Sequence, residues 1–587
     1  MKYISTICIL LILIQSCKTE SKDADLTTPF EKSDSTETAT YEGGIAWWQR
    51  MASSSPFVGI TEFGETDAGR PLHLVKVEVD PVIEDKWRND KNKLVFLINN
   101  GIHPGEPDGI DASMIFARKL IQDPDFSEKY KDVILLIIPF YNVGGALNRN
   151  CCSRANQNGP PSYGFRGNAR NLDLNRDFIK NDSRNAQSFS RLVRDWDPDI
   201  YLETHVSNGA DYQYTMTYLL SQTDKMMPSL KKFCMDELEP HVVASMKELG
   251  DECIPYVNAW NNSPDSGYSM FNDLPRYSTG YLNLFNTIGL LSETHMLKPF
   301  KRRVSSTLNY MRTIADFAAG NAEKIKDVRL LATDEMMDSY SLALDWKVDY
   351  SRCDSLNFKG YRAYYEKSEV TGAAQLYYDG SAPWEKKVPY YRYFLPVLTV
   401  DIPRYYVVPV SWGKVVELLE NNGVYIELIK SDTALEVEQY RLLDFETSPG
   451  PYEGHYFHTQ TSVDRESKVA LLRKNEYLLI STNQRSRRFL VEVLEPHGPD
   501  SYFNWNFFDE VLQQKEWFSS YVFDLEAKEL LKDKQMKNAF DSLKKAMPEL
   551  KGSATGQLYE IYKMSERYER DRHLVYPVFR ISPDLKN

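Results

Sequence analysis

Leu94-Val95-Phe96-Leu97-Ile98-Asn99-Asn100-Gly101-Ile102-His103-Pro104-Gly105-Glu106-Pro107-Asp108-Gly109 decides the fold. Its first five residues are a continuous apolar run, as in a strand buried on both faces of a parallel sheet. The residues that follow cannot form a regular helix, because Pro104, Gly105 and Pro107 interrupt it. That excludes the helical H-E-x-x-H arrangement, which needs a helix to align its ligands. A loop at the carboxyl end of a strand can instead fold His103 and Glu106 onto one ion, and open α/β sheets hold their ligands there.

Further apolar runs lie at Val133 to Phe140, Asp199 to Thr204 and Ile288 to Ser292, with helical patterns at Ile110 to Leu120 and Asn185 to Trp196. This alternation, from Tyr41 to about Gly320, predicts an α/β domain with a mixed, largely parallel sheet and helices on both faces. His205 closes the Asp199 run and Glu293 the Ile288 run. A lone histidine is ordinarily a surface or satisfied core residue, and H-x-x-E is common by chance. The agreement of three strand ends raises it: His103, Glu106 and His205, with a fourth position open, are the donor set of a catalytic zinc.

The chain has 587 residues, too many for one ordinary core. Its texture changes near Asp327, so we place a catalytic domain at 41–326 and an accessory mixed α/β region at 327–587. Strand-like runs there include Tyr405 to Val410 and Glu476 to Ser481, and Trp412 to Asn421, Phe523 to Lys532 and Met536 to Met547 read as helical. The aromatic stretch from Phe503 to Trp517 reads as core. His455 and His458, three apart in a strand-like setting, fall on opposite faces and read as surface residues.

The formal net charge of −13 argues against nucleic acid as a partner. Lys2 and the apolar run Ile4 to Ile14 form an export leader, too short for a spanning helix. It ends in Ile14-Gln15-Ser16-Cys17, which resembles the lipobox of bacterial lipoproteins. The resemblance implies a signal peptide at 1–17, a lipid on Cys17, and an exported, membrane-anchored protein in the periplasm or on the cell surface. Ordinary secretion is the alternative. Residues 18–40 are polar and read as a disordered tether. Of seven cysteines, five remain beyond Cys17. Five is odd, and Cys234–Cys253 is a possible pair that spacing cannot fix.

Several segments together resemble the metallocarboxypeptidases, the zinc peptidases similar to carboxypeptidase A. Gly64-Glu65-Thr66-Asp67-Ala68-Gly69-Arg70-Pro71-Leu72 is similar to an early segment of that family, and His103-Pro104-Gly105-Glu106 to its H-x-x-E motif. Arg166 to Phe178 (RGNARNLDLNRDF) resembles its arginine-rich segment, and His205 and Glu293 stand in the family's order. The resemblance implies Zn2+ on His103, Glu106 and His205, with Glu293 as general base to the zinc-activated water. It also implies that Arg166 stabilises the oxyanion, that Asn175 and Arg176 hold the substrate's C-terminal carboxylate, and that Asp173 accepts the other ring N–H of His103. The expected partner is a peptide with a free C-terminal carboxylate, the membrane being touched through the lipid anchor only. Gly105 departs from the arginine many members carry there, and Tyr268, Tyr277 and Tyr281 all remain candidates for a substrate tyrosine. Arg276 reads as a surface arginine; turned inward, it would favour an acidic C-terminal residue. His295 reads as a loop residue or as a group behind the site. Two other functions stay open: an amide hydrolase of the same fold acting on cell-wall peptides or N-acyl amino acids, and a silent lipid-anchored peptide-binding protein.

Overall fold

A computed structural model describes residues 25–79 and 93–582. The leader, Cys17 and residues 18–24 of the expected tether lie outside them. Among the described residues no helix is long and apolar enough to cross a membrane.

The core is a mixed eight-stranded sheet. Its strands are β1 (Val58–Glu65), β2 (Pro71–Val77), β3 (Leu94–Asn99), β4 (Val133–Ile138), β5 (Ile200–Ser207), β6 (Met216–Leu220), β7 (Cys253–Pro255) and, beyond the two-residue β8 (Tyr268–Ser269), β9 (Ile288–His295). The order is β1-β2-β4-β3-β5-β9-β6-β7. Its centre, β4-β3-β5-β9, is parallel throughout. β3, β4 and β5 are buried along their whole length, which explains the apolar runs of β3 and β4 and the apolar start of β5. Pleating divides their side chains. Phe96, Ile98, Leu135 and Ile137 face one core with the helices Asp108–Gln122 and Phe300–Gly320. Val95, Leu97, Ile134 and Leu136 face a second with the helix Arg184–Trp196.

The second core is shared with the C-terminal region. That region holds β10 (Ser341–Val348), β11 (Asp354–Lys367), β12 (Ala374–Tyr391), β13 (Phe394–Asp401), β14 (Tyr405–Pro409), β15 (Glu427–Leu428), β16 (Thr433–Thr447), β17 (His458–Leu472), β18 (Tyr477–Ser481) and β19 (Val575–Ile581), so it is β-rich. Six of its strands form one sheet, β15-β18-β14-β19-β16-β17, while β12 pairs in parallel with β8. Leu342, Tyr406, Phe489 and Leu490 are buried in one cluster with Leu97 and Tyr201. At about 2 kcal/mol for each fully buried apolar side chain, such contacts rival the whole stability of a domain, about 5–15 kcal/mol. The C-terminal region is therefore a second wall of the core beside the eight-stranded sheet. The expected boundary at 326/327 falls inside the helix Ala322–Asp338, whose Arg329 ties down Asp197 and Asp199 ahead of β5.

Three expectations are corrected. Residues 25–40 are packed rather than a free tether. Pro29–Lys32 forms a helical turn with a capping box between Thr28 and Glu31. Phe30 is buried against Phe300, and Arg118 donates to both Glu31 oxygens and to the Leu26 carbonyl. Polar composition concealed the cap and the single apolar anchor. Among the described residues the disulfide is Cys151–Cys152, with Cys234, Cys253 and Cys353 free. Cys234 and Cys253 are each buried in the apolar core, and burial pushes both thiols up. Finally, His455 and His458 are not surface residues. His455 binds Asp182 and Asn506, while His458 is buried between Thr447 and Asp509. Their neighbours come from segments distant in sequence, which strand alternation alone does not reveal.

Candidate active site

The loop after β3 folds as its prolines and glycines require. The Glu106 N–H donates to the His103 carbonyl at 2.8 Å, closing a turn that brings both side chains to one side. Gly105 is confined: a Cβ there would lie 2.8 Å from Arg154 Cδ and 3.0 Å from the Gly164 carbonyl oxygen. His205 and Glu293 lie within β5 and β9, each two residues before its strand ends, and the parallel register sets them side by side.

His103, Glu106 and His205 converge, each offering a ligand atom within 4.8 Å of the others. Each is about 3% exposed, so they sit away from bulk water. His205 Nδ1 lies 2.9 Å from Glu106 Oε2, and His103 Nδ1 lies 3.3 Å from Glu106 Oε1. His103 Nε2 meets Asp173 Oδ1 at 2.9 Å, which fixes the ring and leaves Nδ1 buried with no hydrogen-bond partner among the described residues. Such a nitrogen is costly unless something binds it. The donor set therefore fits a zinc ion on His103, Glu106 and His205.

The electrostatics favour a cation. Burial opposes charge on Glu106, but Arg154 and His103 hold its carboxyl well below the usual range. Burial likewise opposes charge on His205, yet Glu203 and Glu106 hold its ring well above the ordinary imidazole value. Burial pushes the Glu293 carboxyl up to about 8; the charges of Glu106 and Glu203 add to this, against the pull of His205. Asp173 is the contrary case: His103 and Arg166 overcome its burial and keep it strongly acidic.

A cavity of about 370 Å³ opens over the cluster. Glu293, Arg166, Asn175 and Arg176 line it, so the structure brings these together with His103, Glu106 and His205. Asp173 stands behind them. Arg166 Nε donates to its Oδ2 at 3.0 Å, and Arg176 lies 3.9 Å from the same oxygen. Asp173 is itself held from the C-terminal region, its N–H donating to Glu453 Oε2 at 2.7 Å. Glu453→Ala removes that acceptor, worth about 1 kcal/mol, and is expected to lower kcat/KM about fivefold with an unchanged melting temperature. An unchanged kcat/KM would show that Asp173 needs no such support.

Of the three tyrosines left open, Tyr277 lines the cavity, its ring centroid 4.6 Å from the Arg176 guanidinium. Tyr268 and Tyr281 are buried in the cores. Arg276 neither lines the cavity nor lies on the surface. It is bonded to buried Asp500 and packed against Tyr452, Phe457 and Trp505. His295 is a buried strand residue donating to the Ala210 carbonyl, and burial lowers its pKa to about 4.

Sequence reading missed three residues. Arg154 Nη1 donates to Glu106 Oε1 at 2.6 Å, and its signal was the missing side chain at Gly105. Tyr256 lines the cavity from a segment with no periodicity. Glu203, two residues before His205, lies on the same strand face and could have been found by alternation.

Comparison with known proteins follows this geometry. Carboxypeptidase 2 of Trichophyton rubrum is 22% identical over 491 residues, spanning 80% of this chain and 83% of that protein. Carboxypeptidase 2 of Trichophyton equinum is 22% identical over 428 residues, spanning 70% and 73%. The crystal structure of a metallo-carboxypeptidase from Burkholderia cenocepacia superposes with a TM-score of 0.37 at 17% identity, covering 49% of this chain and 70% of that one. Residues 44–239 match the family model for zinc carboxypeptidase, a span that contains His103, Glu106, Arg166, Asp173, Asn175, Arg176 and His205 and ends before Glu293.

Proposed function

We propose that this chain is a zinc-dependent metallocarboxypeptidase that hydrolyses the C-terminal peptide bond of peptides. One observation carries the reading: the His103–Glu106–His205 cluster opens into the same cavity as Glu293 and Arg176. A zinc ion held by those three residues would supply a Lewis acid for the scissile carbonyl and an acidified water. The remaining work falls to the chain's own side chains. Glu293, whose buried Oε2 has no hydrogen-bond partner among the described residues, takes a proton from the attacking water and passes it to the leaving amine. Arg166 reaches the cavity with its guanidinium about half exposed and neutralises charge developing on the carbonyl oxygen. Arg176 and Asn175 receive the C-terminal carboxylate, while Asp173 keeps His103 in one tautomer. The reading extends to location: an exported protein anchored by a lipid on Cys17, meeting its peptides outside the cytoplasm.

The test compares a peptide with its C-terminally amidated twin, with and without a chelator. The expected result is release of the last residue much faster from the free peptide than from its amidated twin, abolished by the chelator and restored by added zinc. Equal rates on both peptides would point instead to an amide hydrolase on the same scaffold. No stoichiometric zinc and no turnover would mark a silent binding protein.

A further inference from the structure

The sheet presents its side chains to the cavity in ranks. β5 and β9 pair His205 with Glu293 and, two residues earlier, Glu203 with Leu291. β6 continues both ranks, setting Thr217 beside Glu293 and Leu219 beside Leu291. The first rank holds the chemistry. The second is Glu203, Leu291 and Leu219, and all three line the same cavity. Two leucines and one carboxylate thus form a recess of the cavity beside the reacting groups, and Thr279 and Phe271 line the same cavity.

Glu203 is only 1% exposed. Its Oε2 accepts from the Ser278 hydroxyl and lies 3.4 Å from both the Tyr201 hydroxyl and His205 Nε2. Its Oε1 has no hydrogen-bond partner among the described residues. A buried carboxylate oxygen left without a donor is expensive, and steadying His205 through Oε2 leaves Oε1 idle. An apolar-walled recess with one such oxygen matches a side chain with an alkyl stem and a cationic head.

We propose that Glu203 sets the substrate class, and that the recess takes the side chain of a C-terminal lysine or arginine, its stem along Leu219 and Leu291 and its cation on Glu203. The proposal rests on the carboxypeptidase reading above. It reverses the preference that an inward-turned Arg276 would have given, since Arg276 is spent on Asp500. An acidic side chain would set like charge against Glu203, and a plain apolar one would leave Oε1 unpaired.

The test uses the zinc-loaded full chain and N-acylated peptides that differ only in the last residue: Lys, Arg, Phe, Leu or Glu. Lys and Arg are expected to be released with kcat/KM at least tenfold above the others. Glu203→Gln should lower the Lys/Phe and Arg/Phe ratios at least tenfold. A loss of His205 positioning would slow all five substrates alike and leave the ratios unmoved, which would overturn the assignment. Calorimetry gives a readout apart from turnover: free arginine should bind the wild type more tightly than phenylalanine, and lose that advantage in Glu203→Gln. If the variant fails to fold, the wild-type order alone decides, and preference for Phe, Leu or Glu refutes the proposal. Release of no residue from any peptide would instead bring down the carboxypeptidase reading, and this proposal with it.

Discussion

Glu293→Gln is expected to lower kcat by about three orders of magnitude, within the range general acid–base catalysis supplies, while zinc content stays at wild type. The carboxyl sits opposite His205 in the parallel register and lines the cavity, with Oε2 buried and without a hydrogen-bond partner among the described residues. In the metal-free protein burial raises its pKa to about 8, and Glu106 and Glu203 add to this against the pull of His205. Glutamine has the same shape but cannot carry the proton. The fold should survive, because the bond from Thr217 Oγ1 goes to the Glu293 carbonyl oxygen, which the substitution leaves in place. Metal content should survive because His103, Glu106 and His205 are untouched. Stability adds a second readout in metal-free protein. A carboxyl whose pKa is raised on folding contributes fully below its ordinary value near 4.5, and that contribution is lost as pH rises through about 8. The wild type should therefore lose melting temperature over that window more steeply than the glutamine variant. A kcat within tenfold of wild type at normal zinc content would remove Glu293 from the role of general base.

What the sequence disclosed and what it hid have separate physical causes. β3 and β4 were legible because strands covered on both faces are apolar almost throughout, β5 and β9 by their apolar first halves, and the helix-breaking Pro104, Gly105 and Pro107 left only a loop for His103 and Glu106. Those same apolar runs could not say what covered each face. The core that holds Val95 and Leu97 is completed, beside the helix Arg184–Trp196, by side chains from beyond residue 338, through contacts no local pattern encodes. Arg154 was hidden for a related reason: its loop has no periodicity, and its position follows from space left by a residue nearly fifty positions away. Glu203 was within reach, since alternation from His205 puts it on the cavity face, but an acidic residue in a strand run reads first as an edge position. Tyr277 could not be separated from Tyr281, because the choice depends on where the helix Ser278–Asn283 begins and which side it buries.

Arg176→Ala is expected to lower kcat/KM for a free-carboxylate peptide about 100-fold, the scale of losing a charge-assisted, two-pronged hydrogen bond. The same change should leave the slow hydrolysis of the amidated twin almost untouched, so the ratio between the two peptides falls toward one. Arg176 is well held for this work. One guanidinium nitrogen donates to the Asn175 carbonyl at 2.7 Å, the plane lies 4.6 Å from the Tyr277 ring centroid, and Asp173 stands 3.9 Å behind. That support pre-orients the fork at little entropic cost when substrate arrives. Arg176→Lys keeps the charge and loses the fork, so it should recover only part of the preference. Two outcomes would move the carboxylate clamp elsewhere. One is an unchanged kcat/KM on the free peptide; the other is an equal loss on both peptides, which would make Arg176 a support for Asp173 rather than a contact to the substrate's terminus.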